Sequence, residues 1–389
     1  MRRWRGAAVT AAVVALVVQP GTASAGDGGD DNGDAVVPIT DEGLQGPRQL
    51  SHYLDDSLVV AESDSGQISS VDLESGAVHT LATFGTPEAP SSPQGVDYAD
   101  GHLYVALGET GGGPEAGPPP PVELPPEGTP VPRCTETDTA PSAEALVKAD
   151  PDGEVDEVCD LLQYELVVNP DKQTQVDANN VPVDSLSNPY SVLVQDERIL
   201  VADAGANAVL SIDRDSGKIS NFFLPPLVTD GACAGAENNP ASDKYPATVG
   251  CDPVPTGVTT GPNGRIYVST LGALTPGAGR VYVLNSDGKE VRRITGLNPM
   301  TGIVVDGDGT VYVSELTGDV PIEQADPSTP VGRIVRIDGD DRSYAAVTLP
   351  QGLAIDDGKL YASALSLVPD GGQVVRVPSG AFTAGSAAA

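Results

Sequence analysis

From Pro47 onward the chain alternates short apolar runs with turns, and one pattern recurs six times. Each unit opens near a proline: Pro47, Pro93, Pro189, Pro255, Pro299 and Pro350. Ten to twelve residues later comes an apolar run: Leu58-Val59-Val60, Leu103-Tyr104-Val105, Ile199-Leu200-Val201, Ile266-Tyr267-Val268, Val311-Tyr312-Val313 and Leu360-Tyr361-Ala362. Between proline and run, Gly95-Val96, Gly257-Val258, Gly302-Ile303 and Gly352-Leu353 begin a first strand. Asp100-Gly101, Pro262-Asn263-Gly264, Asp306-Gly307-Asp308-Gly309 and Asp357-Gly358 then supply the turn. Asn-Gly and Asp-Gly suit the positive φ angles of tight hairpins. Third strands are predicted at 67–72, 145–149, 208–213, 279–284, 333–337 and 373–377, with fourth strands such as Val78–Phe84 and Glu290–Thr295. A four-stranded antiparallel unit repeating every roughly 40–50 residues has the period of a propeller blade. Such a blade cannot bury both faces alone, whereas neighbours in a ring bury them together. The pattern therefore predicts an all-β, six-bladed propeller forming one domain over residues 35–380.

The sixth unit lacks a clear fourth strand, and Ala35–Ile39 has strand character ahead of the first unit. This N-terminal strand is expected to close the ring in the last blade and remove an open sheet edge. Two insertions interrupt the repeats. Residues 108–141 are dense in Pro and Gly and predict no regular strands. Residues 160–184 open on Leu161-Leu162-Gln163-Tyr164-Glu165, which predicts a short helix, and then turn polar. A seventh blade hidden there is the architectural alternative; the lack of a proline-led unit with paired apolar runs weighs against it. Residues 26–34, rich in Gly and Asp, and the tail 381–389 are expected to be flexible.

The N-terminus changes the compartment. Arg2, Arg3 and Arg5 precede an apolar run from Ala7 to Val18, and Ala23-Ser24-Ala25 has the A-x-A form of a cleavage site. This order predicts a secretory signal peptide over residues 1–25 and a secreted chain with no transmembrane segment. The chain carries 21 Lys and Arg against 55 Asp and Glu, a net charge of −34. Loss of a leader with three arginines and no acid makes the balance still more negative. So acidic a surface repels nucleic acid and anionic lipid. Export also fits the four cysteines, for which the loop positions favour the pairs Cys134–Cys159 and Cys233–Cys251. A zinc site is a poor alternative, because no C-x-x-C is present and no His lies near any of the four.

The run Ile199-Leu200-Val201-Ala202-Asp203-Ala204-Gly205-Ala206-Asn207 resembles the NHL repeat of six-bladed propellers. More specifically, Leu162-Gln163-Tyr164-Glu165, Asn169-Pro170-Asp171, Asp184-Ser185, Ser187-Asn188-Pro189-Tyr190-Ser191-Val192 and Ala202-Asp203-Ala204-Gly205 resemble the ScyD/ScyE family. The resemblance covers most of the chain after the leader. It implies a secreted propeller and brings no established activity with it. Two features depart from the family pattern: Gly46-Pro47-Arg48-Gln49-Leu50, where a glycine usually precedes the apolar residue, and the insertion at 108–141.

Candidate chemistry follows from the repeat positions. The start of strand one and the end of strand two share one face of the ring. The strand-two ends are Glu62, Leu107, Asp203, Thr270, Glu315 and Ala364. Glu62, Asp203 and Glu315 thus alternate around the channel mouth and are candidate ligands for Ca²⁺ or another divalent cation. An acid at such a position also commonly accepts backbone N–H bonds, and that structural role is the expectation for any single one. Arg48, Gln94, Tyr190, Thr256, Met300 and Gln351 lead strand one and could line a polar ligand site on the same face. Asp306-Gly307-Asp308-Gly309 has Thr317 where a calcium loop needs a bidentate Glu, so a hairpin turn is expected. His52, His79 and His102 share no repeat position, and no nucleophile elbow, Walker loop or dinucleotide fingerprint occurs. Aromatic residues are too few for a carbohydrate platform. The expected function is an extracellular module, monomeric, binding a small molecule or another extracellular protein. The alternative is a metal-dependent lactonase or hydrolase using Glu62, Asp203 and Glu315.

Overall fold

The computed structural model describes residues 34–41, 43–110, 120–325 and 330–385. The predicted leader over residues 1–25, residues 26–33 and residues 386–389 lie outside them. Six antiparallel sheets form the six blades of a propeller. The first has strands Pro47–His52, Ser57–Glu62, Gln67–Asp72 and Val78–Thr83. The second has Pro93–Ala99, His102–Leu107, Ala145–Ala149 and Val155–Asp160. The third has Pro189–Val194, Arg198–Asp203, Ala208–Asp213 and Ile219–Phe223. The fourth has Pro255–Thr260, Ile266–Thr270, Gly279–Leu284 and Glu290–Leu297. The fifth has Met300–Val305, Val311–Glu315, Arg333–Asp338 and Asp341–Ala346. The sixth has Leu353–Asp356, Lys359–Ala364 and Gln373–Arg376, completed by Val37–Pro38 from the N-terminal side.

That closing strand pairs Val37 with Arg376 and Pro38 with Val375. Ile39 N then donates to Val374 O, and Val374 N donates to Thr40 Oγ1 at 3.0 Å. The chain end thus supplies the edge that the last unit lacks. Part of the tail predicted to be flexible is placed: Thr383–Ala384 pairs with Ser343 and Tyr344 on the outer edge of the fifth blade.

The second strands explain the ring. Their apolar runs are continuous because both faces are covered by neighbouring blades. Val59 and Ala61 join the cluster shared with the second blade, while Leu58 and Val60 join the one shared with the sixth. Ile199 and Val201 face the second blade, and Leu200 and Ala202 face the fourth. Six such clusters, one for each pair of adjacent blades, make up the main core. Glycines in the first strands let backbones meet at the axis. A Cβ on Gly302 would lie 2.2 Å from Gln351 O, and one on Gly352 would lie 2.3 Å from Arg48 O.

The insertions lie against the second to fourth blades. Cys134 is bonded to Cys159 of the second blade's last strand, and Cys233 to Cys251. Thr135–Glu136 adds a short fifth strand beside Val155–Asp160. A helix spans Leu161–Val168. Asp160 caps it by accepting from Gln163 N at 2.7 Å, and Asn169 ends it in the left-handed region. Leu161 and Tyr164 bury into the cluster between the second and third blades.

Candidate functional site

The three acids at strand-two ends are buried and already engaged. Asp203 is 0 % exposed. Its Oδ1 accepts from Asn188 N at 2.7 Å and Ala206 N at 3.1 Å, and its Oδ2 from Ser187 Oγ at 2.7 Å. Glu62 accepts from Gln45 N at 2.7 Å and Ser69 Oγ at 2.5 Å, one bond to each oxygen. Glu315 accepts from Asn298 N at 2.8 Å through Oε1 and from Arg333 Nε at 2.6 Å through Oε2. Burial raises the pKa of Glu62 and Asp203, against these donors. The backbone donors come mainly from the segment leading into strand one, fifteen or seventeen residues earlier. Each acid therefore ties the start of its blade's first strand to the end of its second. The structure does not bring the three together. Among the described residues, the one group of potential ligands with donor atoms within 4.8 Å of one another is His102, Asp150 and Asp156, at the opposite strand ends of the second blade. There His102 Nδ1 lies 2.9 Å from Asp100 O, and Nε2 lies 3.5 Å and 3.3 Å from Asp150 and Asp156.

The residues expected to line the ligand face divide. Tyr190 Oη donates to Gln351 Oε1 at 2.5 Å, a bond from the third blade to the sixth across the axis. Arg48, whose charge acts on Tyr190, donates through Nε to Ser63 Oγ at 2.9 Å. Gln94 is buried and donates to Ser92 Oγ, and Thr256 is buried and donates to Met300 O. Met300 itself belongs to the core between the fourth and fifth blades. Its unit has one extra residue between Pro299 and Gly302, so Thr301 occupies the bulge position held by Gln94, Tyr190 and Thr256 elsewhere.

Next to Tyr190, the first strands of all six blades line a cavity of about 170 Å³ that is partly open to solvent. Of the predicted ligand residues, Tyr190 and Thr256 line it. Its distinctive polar groups come from positions the sequence did not assign to the ligand face. Asp97 accepts from Ser51 Oγ at 2.5 Å, Val194 N at 2.8 Å and Tyr98 N at 3.0 Å, and so joins three blades. Burial raises its pKa against those donors. Gln49 crosses from the first blade to the third, donating to Val192 O at 2.8 Å and accepting from Val192 N at 2.9 Å. Gly95 lies beneath it; a Cβ there would meet Gln49 Oε1 at 2.7 Å. His52, bonded to Asp356 at 2.8 Å, stands on the cavity wall with most of its side chain exposed.

No protein-family model matches the chain, and no curated protein matches its sequence. Among solved structures it is similar to a streptogramin B lyase, with 15% identity over 88% of this chain and 96% of that one and a TM-score of 0.47. It is similar to the PQQ-bound aldose sugar dehydrogenase of Streptomyces coelicolor, with 14% identity, the same coverage and the same score. A catalytically inactive virginiamycin B lyase from Staphylococcus aureus with quinupristin shows 13% identity over 88% and 98% of the two chains, with a TM-score of 0.46. Such likenesses add nothing to the architecture already read from the sheets, and they do not bear on the chemistry of the channel.

Proposed function

We propose that the chain is an exported propeller, as the ScyD/ScyE resemblance implies, and that it takes a small polar molecule into its central channel. The observation that carries this reading is the cavity of about 170 Å³ walled by Asp97, Ser51, Ser191 and exposed first-strand backbone. Ser51, Tyr98 and Val194 already fill both oxygens of Asp97, so hydroxyl and backbone groups of the first strands are what a ligand rich in hydroxyl groups would meet in this concave site. The leader pattern and two disulfides support export. Among the described residues, no helix is long and apolar enough to cross a membrane. A metal-dependent lactonase or hydrolase built on Glu62, Asp203 and Glu315 lacks comparable support, because internal donors fill each carboxylate oxygen.

The test is a thermal-shift and calorimetric screen of amino acids, polyols, hydroxy acids and lactones. At least one class is expected to raise the melting temperature of the wild type. Thr259→Phe, which fills the channel from its wall, should abolish that response without lowering the melting temperature of the free protein. A wild type that answers to none of these classes, or a variant that answers equally, overturns the reading.

A further inference from the structure

We infer that the second blade carries a site for one Zn²⁺-type divalent cation, held by His102 Nε2 and the carboxylates of Asp150 and Asp156. One donor atom from each of the three lies within 4.8 Å of the other two. All three side chains are partly exposed, so an ion can enter and a water or external ligand can complete its shell.

Three strands bring the ligands together. His102 starts the second strand, directly after the Asp100-Gly101 turn, whose residues have φ of 51° and 82°. Asp150 follows the third strand, in the turn where its N donates to Glu154 O at 2.8 Å. Asp156 is the extra residue of a bulge in the fourth strand. Lys148 pairs with Glu157 and Ala149 with Val155, which leaves Asp156 with no residue opposite. A bulge re-aims the side chain it carries.

His102 decides the case. Its Nδ1 lies 2.9 Å from Asp100 O. A carbonyl oxygen only accepts, so Nδ1 carries the proton and donates it. In the neutral ring Nε2 then holds a lone pair, and it stands 3.5 Å from an Asp150 oxygen and 3.3 Å from an Asp156 oxygen. Three acceptors that converge in this way need a positive species between them. An imidazolium N–H would draw a carboxylate to about 2.7–2.9 Å. Bonds of about 2.0–2.1 Å to a tetrahedral metal instead hold neighbouring ligand atoms about 3.4 Å apart. The two separations here match that second spacing. A backbone carbonyl on the far ring N–H is also the support that orients a metal-bound imidazole.

One nitrogen with two carboxylates favours a Zn²⁺-type ion over Ca²⁺ or Mg²⁺, which take oxygen ligands. Lys148 Nζ lies 3.6 Å from Asp156 Oδ2, beyond hydrogen-bond reach, and its charge opposes a bound cation. Such an ion would tie the turn after the first strand to the turn after the third.

The experiment is calorimetric Zn²⁺ titration of the EDTA-stripped, dialysed protein, with melting curves in EDTA and in ZnCl₂. One saturable Zn²⁺ per chain and a rise in melting temperature are expected. His102→Ala should weaken binding roughly tenfold or more, and Asp150→Asn supplies the same readout should the first variant fold poorly. Lys148→Gln should tighten binding about threefold by removing the opposing charge. His79→Ala, on the exposed edge of the first blade, should leave affinity unchanged. A wild type that binds no Zn²⁺, one that prefers Ca²⁺, or binding that survives both ligand substitutions overturns the inference.

Discussion

Two sets of acids in this propeller differ in what surrounds them. Glu62, Asp203 and Glu315 occupy a repeat position, and each holds the start of its blade's first strand with fixed donors. Glu165, Asp171 and Asp184 come from the insertion, line one small cavity and are surrounded by other acids, Asp252 and Asp203 among them. A carboxylate whose oxygens are filled by N–H and O–H donors is a structural post. A buried one left short of donors either keeps a proton or recruits a cation. The donor count therefore separates Glu165, whose Oε2 has no donor, from the repeat acids, although all read as acids in an acidic chain.

The strongest way to break this comparison is at Asp203. Asp203→Ala would leave Ser187 Oγ, Asn188 N and Ala206 N without their acceptor in a buried site. A loss of about 3–5 kcal/mol in unfolding free energy is expected, measured by denaturant titration in EDTA. A loss below about 1 kcal/mol would show that the post role is overstated.

Glu315 offers a smaller effect of the same kind. Its partner Arg333 also bonds both oxygens of Asp319, at 2.6 and 2.8 Å, so the guanidinium keeps a partner when Glu315 is neutralised. Glu315→Gln is expected to cost about 2 kcal/mol, less than Asp203→Ala, because one side of the pair is partly exposed. Equal costs for the two variants would mean that the number of lost donors does not set the scale.

Much of the ring was legible because both faces of every second strand are buried, which writes an unbroken apolar run such as Leu58 to Ala61 into the sequence. The N-terminal closure was legible for a related reason: the sixth unit ran out of strands while Ala35–Ile39 had one to spare. The channel was not, because its walls depend on register. One extra residue in the fifth unit puts Met300 in the core and Thr301 at the bulge. The first unit carried a visible signal in Gln49, which stands where four of the other five units have glycine. Only the fold shows its amide spanning Gly95 to reach Val192. The insertion's acids were legible as a motif, but not as a cluster. Their meeting depends on the helix Leu161–Val168 and on Asn207, contributed by a different blade edge.

The finest test lies between the two sets, at Glu144. Burial pushes its pKa up from the ordinary 4.5 to about 7, with further help from Glu109, Asp203 and Asp160. The folded protein then holds a proton between about pH 4.5 and about 7 that the unfolded chain has released. Stability from this group is therefore greatest below that window and falls as pH rises through it. Glu144 is partly solvent-accessible, so screening reduces the effect to about 1 kcal/mol. Glu144→Gln should flatten that part of the stability profile in EDTA. It should raise unfolding free energy by this amount at pH 8 and leave it unchanged at pH 4. An unaltered slope would place the origin of the pH dependence elsewhere among the acids, and Asp97 in the channel, whose pKa burial also raises, would be the next to exchange.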